Sequence, residues 1–277
     1  MQPNSTHLSH ILHYSCACSP CSNIPCVCFV AEYLMLDRNE LSGPVHKNLG
    51  VLSNLRELRL NQNHLTGTIP RSLTTMSNLK ILDLSENKIH GHIPDIIASL
   101  FNLQELILFD NNLTGNLPVH LLDDKNHMLR DMQLQKNKLS GGIAPGIRNL
   151  VALRTLRFDD NGITGPIPKT FAEMTELEEL RLNDNEMTGQ IPSELGAMTK
   201  LERLHLEHNG LKGFIPSELG GMVAMQSLRV HENRLTGSMP NQVCDIPGIL
   251  YISANCDGKH AIQKEPYVEC ECCTRCF

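Results

Sequence analysis

The sequence predicts an α/β solenoid of stacked coils, with a parallel β-sheet on one face and short helical or 3-10 turns on the other. Three observations predict it. An asparagine recurs at Asn39, Asn63, Asn87, Asn111, Asn137, Asn161, Asn185, Asn209 and Asn233, with seven of the eight intervals at 24 residues and one at 26. A glycine stands four places after each, from Gly43 and Gly67 to Gly213 and Gly237. Leucine or another apolar residue precedes each asparagine at fixed offsets, as Leu177, Leu180 and Leu182 precede Asn185. Self-similarity at this period marks an architecture in which each coil buries its apolar side only against its neighbours.

Each fixed position has a physical reason. The unit runs L-x-x-L-x-L-x-x-N-x-(apolar)-x-G-x-I-P, clearest over Leu177–Pro192. In L-x-L the leucines lie at period 2, so both point to one side of a strand and the residues between them to the other. Burying each leucine is worth about 1.5–3 kcal/mol. The asparagine comes where the chain leaves the strand, and its amide is expected to bond the turn backbones in an internal ladder. The glycine permits positive φ or close backbone approach. Ile-Pro sets an extended segment with no N–H at the proline. The stretch after it, such as SELGAMTKLERL, reads as a 3-10 or helical turn.

These features resemble the plant-type, extracellular leucine-rich repeat, whose mark is G-x-I-P. The segment is intact at Ile69-Pro70, Ile93-Pro94, Ile167-Pro168, Ile191-Pro192 and Ile215-Pro216, and softened at Leu117-Pro118 and Met239-Pro240. It is displaced at Ile143-Ala144-Pro145 and lost at Val45. The likeness covers roughly residues 31 to 255. It implies a leucine-rich repeat solenoid, a right-handed horseshoe with its sheet on the concave side, and binding there as in receptor-like ectodomains and polygalacturonase inhibitors.

Three regions follow. Residues 1–30 hold five cysteines, Cys16 to Cys28, and His7, His10 and His13; they read as an altered N-terminal cap, with no convincing leader peptide. Residues 31–240 carry nine repeats, and the 26-residue interval is expected to bulge near residues 121–129. Residues 241–277 hold a last degenerate strand and Cys244, Cys256, Cys270, Cys272, Cys273 and Cys276. Cysteines confined to the ends read as disulfide caps made in an oxidising compartment. The expected pairing is Cys244 with Cys256 and a knot among the other four; a zinc site in the tail is the alternative. The ending resembles that of secreted repeat proteins of algae such as diatoms.

Composition excludes several functions. A net charge of −6 argues against general attraction to nucleic acid or anionic membrane. Aromatics at 4% with no Trp leave no platform for stacked bases. No catalytic motif is present, no cofactor or metal is expected, and no apolar run spans a bilayer. The sequon at Asn112 makes that residue the candidate glycosylation site in an extracellular or cell-surface protein.

The informative residues are the variable ones on the strands. Ile81, Ile107 and Phe109 make an apolar spot on a face expected to be wet. Arg157, Arg181, Arg203 and Arg229 make a basic ladder at about 4.8 Å per strand. Asp159, Glu179 and Glu207 stand beside it, so compensating surface ion pairs are one reading. The other is a peptide or protein ligand with an apolar anchor and a carboxylate gripped by arginine forks, with a membrane co-receptor as a further partner. His205 and His231, one strand apart beside Glu207, read as a pH-responsive ion pair ahead of a metal site. The expected function is non-enzymatic recognition of a peptide or protein in signalling or defence. Inhibition of a secreted polysaccharide hydrolase and a structural or adhesive wall role are the alternatives.

Overall fold

The computed structural model describes residues 31–122, 128–256 and 267–277. The N-terminal cysteines and histidines, and the centre of the 26-residue interval, lie outside the described residues.

The L-x-L segments form one parallel sheet of eleven strands in sequence order, from Tyr33–Met35 and Glu57–Arg59 to Tyr251–Ala254 and Arg275–Cys276. The register is strict through the repeats: Leu156 faces Leu180, which faces Leu204, which faces Leu228. Those four leucines are fully buried. The residues on either side of them form the sheet's other surface, the inner face. Behind the sheet, leucines, isoleucines and methionines from successive coils merge into one continuous core that includes Phe158 and Phe171.

The asparagine ladder is built as expected. Asn185 Nδ2 donates to Phe158 O in the preceding coil at 2.9 Å and to Leu182 O in its own coil at 3.1 Å. Its Oδ1 accepts from Ile163 N at 2.8 Å. Asn63, Asn87, Asn111, Asn137, Asn161, Asn209 and Asn233 repeat this pattern. Each amide therefore fastens one coil to the one before it. Two left-handed positions complete each turn. Gly189 sits at φ 87°, as the motif requires, and the non-glycine Asp184 sits at φ 53°.

A second element was not foreseen. After the asparagine the chain forms a short flanking strand, and His90–His92, Asn112–Gly115, Lys138–Gly141, Gly162–Gly165, Glu186–Gly189, Gly210–Gly213 and Arg234–Leu235 pair into a seven-stranded parallel sheet. Each Ile-Pro then stays extended and leads into a 3-10 turn, as Pro192 (φ −66°, ψ 132°) leads into Ser193–Ala197. The turns pack tightly: a Cβ on Gly196 would lie 2.0 Å from Glu218 O.

The C-terminal end corrects the expected pairing. Cys244 bonds Cys272, Cys256 bonds Cys276, and Cys270 bonds Cys273. Cys244 and Cys256 are not joined because the tail folds back as a partial coil. Val268–Glu269 pairs with Gly237–Ser238 on the flank, and Arg275–Cys276 pairs with Ser253 and Ala254 on the inner sheet. Cys272 and Cys276 thus meet partners in the last repeat while Cys270 and Cys273 join within the tail, and all six are disulfide-bonded, with none left as a zinc ligand.

Candidate functional site

On the inner face every strand presents one residue before its buried leucine, one after it, and one further on beyond the next buried position. Parallel register lines these up in rows. Arg157, Arg181, His205 and Arg229 share the middle row; Glu179 and Arg203 face each other in the first. The four arginines of the sequence ladder therefore lie in two rows. They converge on carboxylates. Glu179 takes Arg157 at 2.9 Å, Arg203 at 3.7 Å and the Nε of Arg181 in a close contact. Burial works to raise the Glu179 carboxyl, but hydrogen bonds and charge from Arg157 and Arg181 outweigh it and hold it below the usual carboxylate value. Arg229 meets Glu207 at 3.6 Å and lies over the Tyr251 ring at 5.1 Å.

Three expectations change at this surface. Ile107 is 9% exposed, so the apolar spot is not the open patch expected; Ile81 and Phe109 are only half-buried beside it. His205 is buried and shares a 3.1 Å hydrogen bond with the Ser227 hydroxyl. Burial, with the guanidiniums of Arg229 and Arg181, pushes His205 down to about 3. His231 is held by Ser253 at 2.8 Å and stacks on Phe277 at 3.8 Å, while Glu207 turns to Arg229. The expected histidine–glutamate pair is absent because both imidazoles are buried neutral and a guanidinium outcompetes them for the carboxylate. Asn112 is exposed on a flanking strand.

Sequence reasoning passed over the other half of the face. Arg59 lies among three carboxylates, Glu57 at 3.4 Å, Asp83 at 3.8 Å and Glu105 at 3.9 Å. Burial raises Glu105, and Asp131, Glu57 and Asp83 raise it further against the opposing pull of Arg59. The Asp83 and Asp131 carboxyls are also raised by burial. Counting acids as well as bases in the inner positions would have found this: five carboxylates, Asp37, Glu57, Asp83, Glu105 and Asp131, stand against Arg59 alone. Among the described residues no group of His, Cys, Asp and Glu converges to hold a metal ion, and no helix is long and apolar enough to cross a membrane.

Stacked coils with a regular core on one side and a chemically varied wall on the other define a leucine-rich repeat solenoid. The leucine rich repeat family model matches residues 53–113 and 151–211. The plant peptide hormone receptor RGFR1, solved in complex with RGF2, is similar at 33% identity and a TM-score of 0.80, over 82% of this chain and 36% of that one. A TDR receptor is similar at 26% identity and a TM-score of 0.77, over 80% of this chain and 38% of that one. A plant ice-binding protein is similar at 27% identity and a TM-score of 0.67, over 76% of this chain and 66% of that one. No curated protein sequence matches significantly. The chain carries leucine-rich repeats similar to those of plant receptor ectodomains, and it spans little more than a third of the length of the two receptors.

Proposed function

We propose that the inner face binds a peptide, or a peptide-like segment of a protein, and that the chain acts as a non-enzymatic recognition module outside the cell or at its surface. The observation that carries this reading is the likeness, over most of the chain, to a peptide hormone receptor ectodomain. Two features of the wall support it. Its side chains have no packing duty in the core, and it combines half-buried apolar groups with charged groups at short range, the mixture that binding hot spots favour. Three arginines crowd one carboxylate at Glu179, and Arg203 and Arg229 keep 41% of their side-chain surface exposed, so a ligand carboxylate has guanidinium edges to take. The three disulfides of the C-terminal cap fit an oxidising compartment.

Titration of binding peptides against Arg181→Ala and Arg229→Ala tests the reading. Affinity for peptides bearing a carboxylate should fall about tenfold or more, as expected for losing a charge-assisted contact. Unchanged affinity in both variants removes the arginines from the site. An inhibition screen against secreted polysaccharide hydrolases separates recognition of peptide from enzyme inhibition.

A further inference from the structure

The inner face is electrically divided. Over the first five strands five carboxylates face one guanidinium; over the next four, Arg157, Arg181, Arg203 and Arg229 face Asp159, Glu179 and Glu207. The two halves are built as opposites. On one side a single guanidinium is shared by Glu57, Asp83 and Glu105, and on the other a single carboxylate is shared by Arg157, Arg181 and Arg203. One guanidinium does not neutralise three carboxylates, so the acidic cluster keeps an excess of negative charge. On the basic side Arg203 also meets Glu202 at 3.7 Å and Asp159 stands beside Arg157 and Arg181, so charge there is nearly balanced and what the arginines offer is partly exposed guanidinium edges.

Among the described residues buried acceptors without donors occur in both halves: Asp159 Oδ1, Asn183 Oδ1 and Glu207 Oε2 on the basic side, and two on one coil of the acidic side. Asp131 Oδ1 is buried and has no hydrogen-bond partner, although Gln133 holds the other oxygen at 2.9 Å. On the same coil the Gln135 side chain is 8% exposed, and its Oε1 has no partner. An unpaired buried acceptor is costly, and the two on this coil lie beside crowded carboxylates, where a cationic donor arriving with a ligand satisfies them.

We infer that the face takes an extended peptide of fixed polarity, with a cationic group over Glu57, Asp83, Glu105 and Asp131 and an anionic group over Arg157, Arg181 and Arg203. This rests on the peptide-binding reading above and specifies its ligand. The clusters are centred on the strands Ile81–Asp83 and Glu179–Arg181, four strand steps apart. At about 4.8 Å per step that is about 19 Å, which an extended chain spans in about six residues. The half-buried Phe109 lies between the two charges and meets an apolar residue of the peptide. Lysine, arginine or a terminal amine meets the cationic requirement, and each supplies the N–H donors that Asp131 and Gln135 lack.

Selection from a random dodecapeptide library on the whole chain tests the inference. Selected peptides should carry a basic residue and an acidic one about six positions apart, with an apolar residue between them. Their affinity should fall about tenfold in Glu57→Gln/Glu105→Gln, whose fold is checked by its unfolding transition. Neutral peptides should not distinguish that variant from the parent. If peptides bind without this charge order, and the double variant holds them as tightly, the inference is overturned while peptide binding stands. If no peptide is selected, both readings fall together.

Discussion

Each repeat asparagine closes two coils at once, so its removal costs more than one hydrogen bond. Asn111 is 8% exposed; its Nδ2 donates to Leu84 O at 3.0 Å and Leu108 O at 3.2 Å, and its Oδ1 accepts from Ile89 N at 2.9 Å. Asn111→Ala strands buried backbone groups and should lower stability by on the order of 3 kcal/mol, read from the urea midpoint. A change within about 0.5 kcal/mol, the range of an ordinary surface substitution, would show that the ladder does not hold the coils together. His205 gives a pH prediction. Unfolded, it takes a proton near 6.5; folded, only near 3. Its contribution is therefore complete above pH 6.5 and is lost as pH falls below that, at about 1.4 kcal/mol per unit. Burial lowers His231 too, aided by His208, and adds to the same loss. The raised carboxyls of Asp83, Glu105, Asp131, Asp159 and Glu207 act in the opposite direction, from their unfolded values upward, and are common to parent and variant. Between pH 6.5 and 5, His205→Gln should therefore remove one proton's share of the slope, and a slope identical to the parent's would contradict its neutral burial. The asparagine and glycine roles were legible because their residue types recur. The left-handed residue before each asparagine was not, since Arg38, Gln62, Glu86, Asp110 and Lys136 share that backbone without sharing a side chain.

At the scale of elements, periodicity specified the inner strands and the turns but not the cap. Leucines at period 2 name a strand and its buried side with little ambiguity, whereas six cysteines in a short tail admit several pairings. The observed pairing follows from the backbone path, because Val268–Glu269 and Arg275–Cys276 add themselves to existing sheet edges. The bonds should differ in weight. Cys244–Cys272 and Cys256–Cys276 join residues 28 and 20 apart, whereas Cys270–Cys273 joins residues 3 apart. Chain entropy assigns the first two about 3–4 kcal/mol each and the last about 1.6 kcal/mol. In a solenoid an uncapped end frays locally. Replacing Cys244 and Cys272 with Ser should thus raise hydrogen exchange in Ser227–Arg229 and Tyr251–Ala254 and leave Glu57–Arg59 unchanged. Replacing Cys270 and Cys273 should have a much smaller effect. Equal exchange along the whole chain would mean that the coils unfold as one unit. The flanking sheet escaped the sequence reading for a related reason: its strands are short, and glycine interrupts the alternation that usually reveals a strand.

Across the whole molecule, the core and the inner wall obey different rules. The core repeats because every coil must match its neighbours, and repetition is what a single sequence displays best. The wall is where coils are free to differ, so its meaning lies in the order of charges along the rows. That order becomes visible once register places Arg157, Arg181, His205 and Arg229 in one line and Glu179 beside them. Individual residues of the wall were legible, but their partners were not. The arginines stood out as a run, while the carboxylates that hold them, and the acidic half around Arg59, depend on neighbours 22 to 46 residues away. Because the opposing charges sit on an open surface, peptide affinity should weaken as salt rises through the range where screening shortens to about 8 Å and below.

Carboxyl footprinting of the chain with and without a selected peptide probes the proposed binding wall most directly. Bound peptide should protect Glu57, Glu105 and Asp131 on the inner face and leave Glu194 and Glu218 on the outer turns as reactive as before. Protection of Glu194 and Glu218 with the inner carboxylates unchanged would place recognition on the opposite surface and contradict the account.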